Sequence, residues 1–185
     1  SKGHKWFTGG NYNLNIVGVR NSDTNGEVTN KFDDLITLTY EVGGDLKYHE
    51  FKATTDPGSH WEKNLLNEDG VAILCPGQYR GSHTIGLHQG KYEALKQQKP
   101  VKVYRDNNKD GKYDMIEENI KEGIFGINIH KAGSRVEGST QIDKWSAGCQ
   151  VLSKESDFNE LMEIAHKSAA LYGKSFTYTL IESKD

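Results

Sequence analysis

Hydrophobic and polar positions alternate along most of this chain, and the alternation indicates strands. It is clearest at residues 14–20, 34–42 and 46–53, where β-branched and aromatic residues also concentrate. Successive side chains of a strand point to opposite faces, so such segments are typical of half-buried strands. Gly43 and Gly44 separate the last two segments and predict a hairpin turn. Similar patterns predict further strands at 71–75, 79–88, 101–105, 123–130 and 175–182.

Helical spacing dominates only near the end of the chain. Residues 156–173 predict a long helix that Ser153 or Ser156 can cap and that Gly173 can end. Its apolar face consists of Phe158, Leu161, Met162, Ala165 and Ala169. Residues 91–98 favour a short helix, and 54–70 a long loop with a helical turn. The expected fold class is therefore mostly β, with one substantial C-terminal helix and short helices.

Composition limits the classes of protein to which the chain can belong. With 35% hydrophobic and 26% charged residues, it is typical of folded proteins rather than disordered ones. Its 185 residues suit a single domain, 1–185, in which 1–13 could form an N-terminal extension. The net charge of −3 predicts no nucleic-acid partner. We expect neither a membrane span nor a signal peptide, and composition predicts no oligomeric state.

One cysteine and one histidine stand out as candidates for chemistry. His130 ends an apolar run, and Cys149 follows nineteen positions later in the sequence Ser-Ala-Gly-Cys. An imidazole beside a thiol can take its proton and create a nucleophile. Gly148 permits close approach of the backbone, and N–H groups at Gly148 and Cys149 could form an oxyanion hole. The alternative is a structural histidine and a small core cysteine. Cys75 is the second cysteine, and one pair does not make a disulfide framework.

His130, the gap and Ser-Ala-Gly-Cys at 146–149 resemble the signature of L,D-transpeptidase catalytic domains, a histidine followed by Ser/Thr-His-Gly-Cys. Residues 75–86 also resemble an upstream Pro-x-Gly-x-aromatic stretch of that family. The resemblance covers residues 75–152. It implies a β-sandwich-like fold and acyl transfer on peptidoglycan stem peptides.

The resemblance also implies roles for individual groups. Cys149 would be the nucleophile and His130 the base. A backbone carbonyl just after the histidine, near Lys131 to Gly133, would orient the imidazole. Cys149 would attack a carbonyl next to a meso-diaminopimelate-type residue and form a thioester. An amine acceptor would then give a cross-link, whereas water would give hydrolysis.

Two departures from the family pattern influence the choice between these outcomes. Ala147 stands where the family has a second histidine, and Gln150 and Val151 stand where it has an apolar residue and then Arg or Asn. The leading hypothesis is therefore a cysteine-dependent stem-peptide hydrolase, an L,D-peptidase of the kind that a phage or an interbacterial toxin uses. The alternatives are a cross-linking L,D-transpeptidase and a non-catalytic cell-wall-binding or virion module. The inferred substrate implies a location in the cell envelope, the periplasm or outside the cell.

Several residues are candidates for substrate binding. Arg80 could hold a stem-peptide carboxylate in a bidentate fork, and Trp145 could form a wall of the groove. The alternatives are a solvated strand face for Arg80 and a core position for Trp145. The full candidate set is Tyr79, Arg80, His83, Trp145, Ser146 and Gln150.

Residues 106–117 have the ligand spacing of an EF-hand calcium loop, with Gly111 at its sharp turn. The candidate ligands at positions 1, 3, 5, 7, 9 and 12 are Asp106, Asn108, Asp110, Lys112, Asp114 and Glu117. Bound Ca²⁺ would be structural, since the thiol chemistry requires no cofactor. The alternative is a polar turn between strands. A zinc site built from His83, His88, His130 and Cys149 is a further alternative.

Overall fold

The computed structural model describes residues 3–134 and 136–184. Its strands, in chain order, are β1 (Asn15–Arg20), β2 (Asp34–Val42), β3 (Asp45–Thr54), β4 (Val71–Leu74), β5 (Gly77–His88), β6 (Tyr92–Gln97), β7 (Val101–Asp106), β8 (Ile120–Gly123), β9 (Ile129–Lys131), β10 (Gln150–Leu152) and β11 (Ser175–Glu182). The α-helices are α1 (Ser59–Lys63) and α2 (Glu155–Tyr172), and 3₁₀ turns cover Ser22–Thr24 and Glu117–Asn119.

Eight strands close into a barrel in the spatial order β1-β11-β5-β6-β9-β10-β3-β2. Two neighbouring pairs are parallel, β1 with β11 and β9 with β10. The first of these pairs joins distant parts of the sequence, and the second sets His130 beside Val151. The prediction of a mostly β domain with one substantial helix near its end is confirmed. The strands form a closed barrel rather than the two facing sheets of a sandwich.

A smaller antiparallel sheet, in the order β4-β7-β8, packs against the barrel. Strand β4 is covered on both faces, which explains its continuous apolar sequence. Ala72 and Leu74 join the main core, whereas Val71 and Ile73 pack with Tyr113 on the other side. This sheet matters for function because its β4 strand lies against the turn that carries Cys149.

Helix α2 buries its apolar stripe in the main core through Phe158, Leu161, Met162, Ile164 and Ala165. Gly173 follows its last residue with φ 86°, a conformation that favours glycine. The residue before the helix is Lys154, whose side chain makes no capping hydrogen bond. The predicted caps at Ser153 and Ser156 are therefore wrong. Among the described residues, none of the helices has the length and apolar character that a membrane crossing requires.

A buried polar network lies under the barrel wall. The Arg20 guanidinium lies 2.8 Å from Asp56 and donates to the Thr55 carbonyl at 3.1 Å. Asp34 accepts from both the N–H and the hydroxyl of Thr55, at 2.7 and 2.8 Å. Buried charges of this kind persist only when they are paired and hydrogen-bonded. The network fixes the end of β3, which is the antiparallel neighbour of β10.

Two of the predicted segments differ from the structure. Residues 91–98 are not a helix, because Tyr92–Gln97 pairs with β5 as strand β6. The predicted strand 123–130 is interrupted, since Gly123 ends β8, Ile129–Lys131 forms β9, and residues 124–128 between them form an irregular segment. That irregular segment supplies the backbone around the Cys149 thiol.

Candidate active site

His130 and Cys149 come together because β9 and β10 are adjacent parallel strands. In their register His130 pairs with Val151, so the side chains of His130 and Val151 point to the same face of the sheet. Ala132, two residues after His130 on that face, packs in one cluster with Val151 and Cys149. Cys149 immediately precedes β10, and it lies near enough to the Tyr92 hydroxyl to raise the pKa of that group, while the same hydroxyl is 3.4 Å from His130 Nδ1.

The backbone holds the His130 imidazole in one orientation. Its Nδ1 lies 2.8 Å from the carbonyl oxygen of Lys131. A carbonyl can only accept, so Nδ1 carries the proton, and the Nε2 lone pair is free to take another. The Tyr92 hydroxyl lies 3.4 Å from Nδ1, and the His88 ring stacks on the imidazole with centroids 4.1 Å apart.

The surroundings of His130 favour its neutral form. Burial and the neighbouring His88 lower its pKa to about 4, and the hydrogen bond to Lys131 opposes this only in part. The pKa of His88 is also lowered, by burial and by Lys91 and Lys96. Because both imidazoles are neutral near pH 7, they can stack without charge repulsion.

The Cys149 thiol is protonated in the resting protein. It donates to the carbonyl oxygen of Gly126 at 3.1 Å. Burial raises its pKa to about 11, although a hydrogen bond from the Asn128 backbone favours the thiolate. No hydrogen bond joins the thiol to His130, and both residues lie within the described chain. The thiol proton must therefore rotate from Gly126 towards the imidazole before it can be transferred.

The turn before Cys149 is rigid and tightly packed. The buried Ser146 hydroxyl accepts from the Gly148 N–H at 3.1 Å and donates to the Cys149 carbonyl at 2.8 Å. A Cβ on Gly148 would lie 2.2 Å from the carbonyl oxygen of Ala72, so the position requires glycine. Since Ser146 occupies the Gly148 N–H, the N–H of Cys149 is the better candidate for an oxyanion donor.

Three of the predicted substrate-binding residues contact groups other than the thiol. His83 is buried and donates from Nε2 to the Ile127 carbonyl at 2.8 Å, so it supports the segment before β9 instead of touching a substrate. Tyr79 donates to the Cys75 carbonyl at 2.7 Å, and the Arg80 guanidinium lies over the Phe7 ring at 5.5 Å.

The other predicted residues flank Cys149 directly. Gln150 is fully buried, where it accepts from the Tyr178 hydroxyl at 2.8 Å, so it supports the turn and cannot contact a substrate in this structure. Ser146 is buried too and shapes the turn. Trp145 is 45% exposed, and its ring lies beside Gly133. Of these three residues, Trp145 is the one that remains a candidate wall of a groove.

Two residues near His130 were not assigned to this site from the sequence. Tyr92 stood in the segment predicted as a helix, yet burial and the adjacent Cys149 raise the pKa of its hydroxyl to about 12. Asn128 donates to His88 Nδ1 at 3.2 Å. Neither residue has a sequence signal of its own, because strand pairing alone brings them to the histidine.

The structure gives no support to a zinc site. Over residues 3–134 and 136–184, no three His, Cys, Asp or Glu side chains are grouped as metal ligands. His83 is turned into the interior, whereas His88 stacks on His130. The four proposed ligands thus do not face one centre.

The calcium-like loop is compact. Asn108 donates to Asp110 and Asp114 at 3.3 and 2.9 Å, and Asp106 accepts from the Asp114 N–H at 3.3 Å. The Gly111 N–H donates to the buried Glu62 at 3.1 Å. These contacts also suit a polar turn between strands. Calcium binding stays a prediction, which calorimetric titration with Ca²⁺ tests.

Comparisons with protein-family profiles, curated proteins and solved structures find no match for this chain.

Proposed function

We propose that this chain is a cysteine-dependent hydrolase of peptidoglycan stem peptides. The observation that carries the proposal is that the pairing of β9 with β10 sets His130 beside Val151, two residues after Cys149, and that His130 Nδ1 is bonded to the Lys131 carbonyl at 2.8 Å. That hydrogen bond leaves Nε2 as a base, and a backbone carbonyl holds the ring as the resemblance to L,D-transpeptidases implies.

The two neutral groups support general-base catalysis. As Cys149 Sγ attacks the peptide carbonyl carbon, its proton passes to His130 Nε2, and the carbonyl oxygen becomes an oxyanion that the Cys149 N–H can stabilise. Collapse breaks the C–N bond, and the imidazolium returns its proton to the leaving amine. A water then gives a proton to His130 and attacks the thioester. The products are a free acid and the regenerated thiol.

Hydrolysis is favoured over cross-linking by the residues on either side of the nucleophile. Ala147 offers no hydrogen-bonding side chain for an amine acceptor, and Gln150 is turned inward to Tyr178. Water needs no binding site of its own, whereas an acceptor peptide has to be held. If an acceptor peptide were held there, the same site would act as a transpeptidase, which is the alternative function.

A non-catalytic wall-binding module is supported by a different observation. The pKa of the Cys149 thiol is raised to about 11, which would also be expected of a structural core cysteine. Under this alternative His130 and Cys149 would contribute packing alone. An enzyme and a binding module can be distinguished by substitution, because replacing His130 or Cys149 would abolish a reaction only in the enzyme.

The deciding experiment is mass spectrometry of purified muropeptides after incubation with the protein. We expect the wild-type chain to remove a residue or cleave a cross-link, and Cys149→Ala and His130→Gln to leave the muropeptides intact. Cys75→Ala is the matched control, because that buried free thiol lies outside the site. Dimers as the main product would establish a transpeptidase. Unchanged muropeptides with every variant would favour the binding module.

A further inference from the structure

A pocket of about 110 Å³ opens beside the turn that carries the nucleophile. Its walls include Ala72, Arg105, Phe125 and Ala147. A cavity needs roughly 10–15 Å³ of such space to hold one water, so the pocket is large enough for a carboxylate and the carbon that bears it.

Arg105 enters this pocket with unused hydrogen-bonding capacity. One terminal nitrogen donates to the Gly70 carbonyl at 3.0 Å, and the guanidinium lies over the Phe125 ring at 4.9 Å. Its buried Nε has no hydrogen-bond partner among the described residues. Only one of its two terminal nitrogens has a hydrogen bond within the described chain, so the guanidinium at the pocket wall keeps donors that an anion can accept from.

The charges around Arg105 leave it available. Asp69 is close enough for Arg105 to contribute to the lowering of its pKa, but its carboxylate is paired with Lys121 at 2.6 Å. Within the part of the chain that the structure describes, no Asp or Glu lies within ion-pair distance of Arg105. The guanidinium therefore lines the pocket without an ion-pair partner of its own among the described residues, and Asp69 acts on it only from a longer distance.

Cys149 and His130 do not line this pocket, but two short stretches of backbone run from its walls to the thiol. Arg105 stacks on Phe125, and the next residue is Gly126. The Gly126 carbonyl accepts a hydrogen bond from the Cys149 thiol at 3.1 Å. Ala147 lies two residues before Cys149 and forms another wall. A larger residue at position 147 would narrow the pocket, so the small alanine keeps Arg105 accessible.

We infer that Arg105 is a substrate-binding residue that holds a carboxylate of the peptide cleaved at Cys149. This inference rests on the proposed function for the identity of the ligand. A stem peptide offers two carboxylates near the bond to be cut, on the diamino acid side chain and at the peptide terminus. Either would suit the guanidinium fork and the stacking on Phe125.

The test compares three forms of one tetrapeptide muropeptide: the free acid, the form amidated on the diaminopimelate side chain, and the form amidated at the terminus. On the free acid, Arg105→Gln should lower kcat/KM about 10- to 100-fold, mainly through KM, because a charged hydrogen bond is lost. On the amide that lacks the bound carboxylate, wild type and variant should be equally slow. The amide on which wild type and Arg105→Gln have the same kcat/KM shows which of the two carboxylates Arg105 holds.

Two variants control for general damage. Arg80→Gln removes an arginine that stacks on Phe7, and it should leave kcat/KM unchanged. Arg105→Lys keeps the charge without the fork and should lose less than Arg105→Gln. Thermal melts show whether each variant is folded. Equal losses on the acid and on both amides, or an equal loss in Arg80→Gln, would overturn the inference.

A binding measurement separates this inference from the proposed function. Cys149→Ala protein is titrated calorimetrically with the free-acid muropeptide, with and without Arg105→Gln. Binding that depends on Arg105 would support the carboxylate site even if wild type cleaves nothing. Binding that is absent, or equal in both proteins, would reject the site even if turnover depends on Cys149.

Discussion

His130 Nδ1 bonds to the carbonyl oxygen of the next residue, Lys131, at 2.8 Å. A carboxylate at that position would stabilise the imidazolium, whereas a peptide carbonyl does so weakly. Burial is therefore the largest influence on both pKa values, and the pKa falls to about 4 for His130 and rises to about 11 for Cys149. The resting pair is neutral, so under the proposed mechanism the proton moves only as the thiol attacks.

The first prediction concerns the pH dependence of turnover. The base must be neutral, so kcat/KM should fall only as the pH drops through about 4, the pKa of His130. Activity should stay level from about pH 6 to 9, since the thiol does not ionise in this range. Initial rates on one muropeptide from about pH 3 to pH 10 provide the measurement. An acid limb centred near 6.5 would contradict the buried, neutral histidine.

The second prediction concerns the reactivity of the thiol. With a pKa of about 11, only about one Cys149 in ten thousand is a thiolate at pH 7. Alkylation by iodoacetamide should be slow there and rise about tenfold per pH unit up to pH 10. Peptide mapping in the Cys75→Ala background isolates the site. Rapid labelling at pH 7 would instead indicate a preformed thiolate–imidazolium pair.

The third prediction concerns acid stability. The pKa of His130 is about 4 in the folded protein and 6.5 in the unfolded chain. As the pH falls, the histidine therefore takes up its proton first in the unfolded state. The contribution of His130 is therefore complete above pH 6.5 and is lost as the pH falls towards 4. The full shift corresponds to roughly 3 kcal/mol. Urea unfolding of wild type and His130→Gln at pH 7.5, 5.5 and 4.5 should show a shallower decline in the variant. Parallel declines would assign acid sensitivity to other groups.

Local sequence preferences predicted most strands but failed at β6. Tyr92–Gln97 contains Glu, Ala, Leu, Lys and Gln, which are good helix formers. Pairing with β5 overrides these preferences, and it buries Ala94 and Leu95 in the barrel. The three-residue strands β9 and β10 exist only through long-range pairing, so no local pattern could show their parallel register.

The sequence also predicted only part of the candidate site. The spacing of His130 and Cys149 and the family resemblance predicted the pair and the orienting carbonyl. The sequence interpretation placed a carboxylate-binding arginine at Arg80, whereas the arginine that we propose for this role is Arg105, which lines a pocket with Ala147 and is supplied by β7 from a separate sheet. Forty-four positions separate Arg105 from Cys149. Contacts between sheets have no fixed spacing that a sequence could reveal.

The last prediction concerns Gly148. Its φ is 137°, and a Cβ there would meet the Ala72 carbonyl at 2.2 Å and Ile127 at 3.2 Å. Gly148→Ala should therefore cost at least about 2 kcal/mol of unfolding free energy and displace Cys149. Gly90→Ala is the matched control, because Gly90 also has a positive φ, 71°, but no atom lies within 4 Å of its Cβ position. It should cost about 1 kcal/mol, the strain of a positive φ alone. Urea denaturation of the three proteins, with muropeptide turnover measured alongside, gives both quantities. Equal costs at the two glycines would mean that β4 yields to the added methyl group, and the turn would then not depend on the close approach of Ala72.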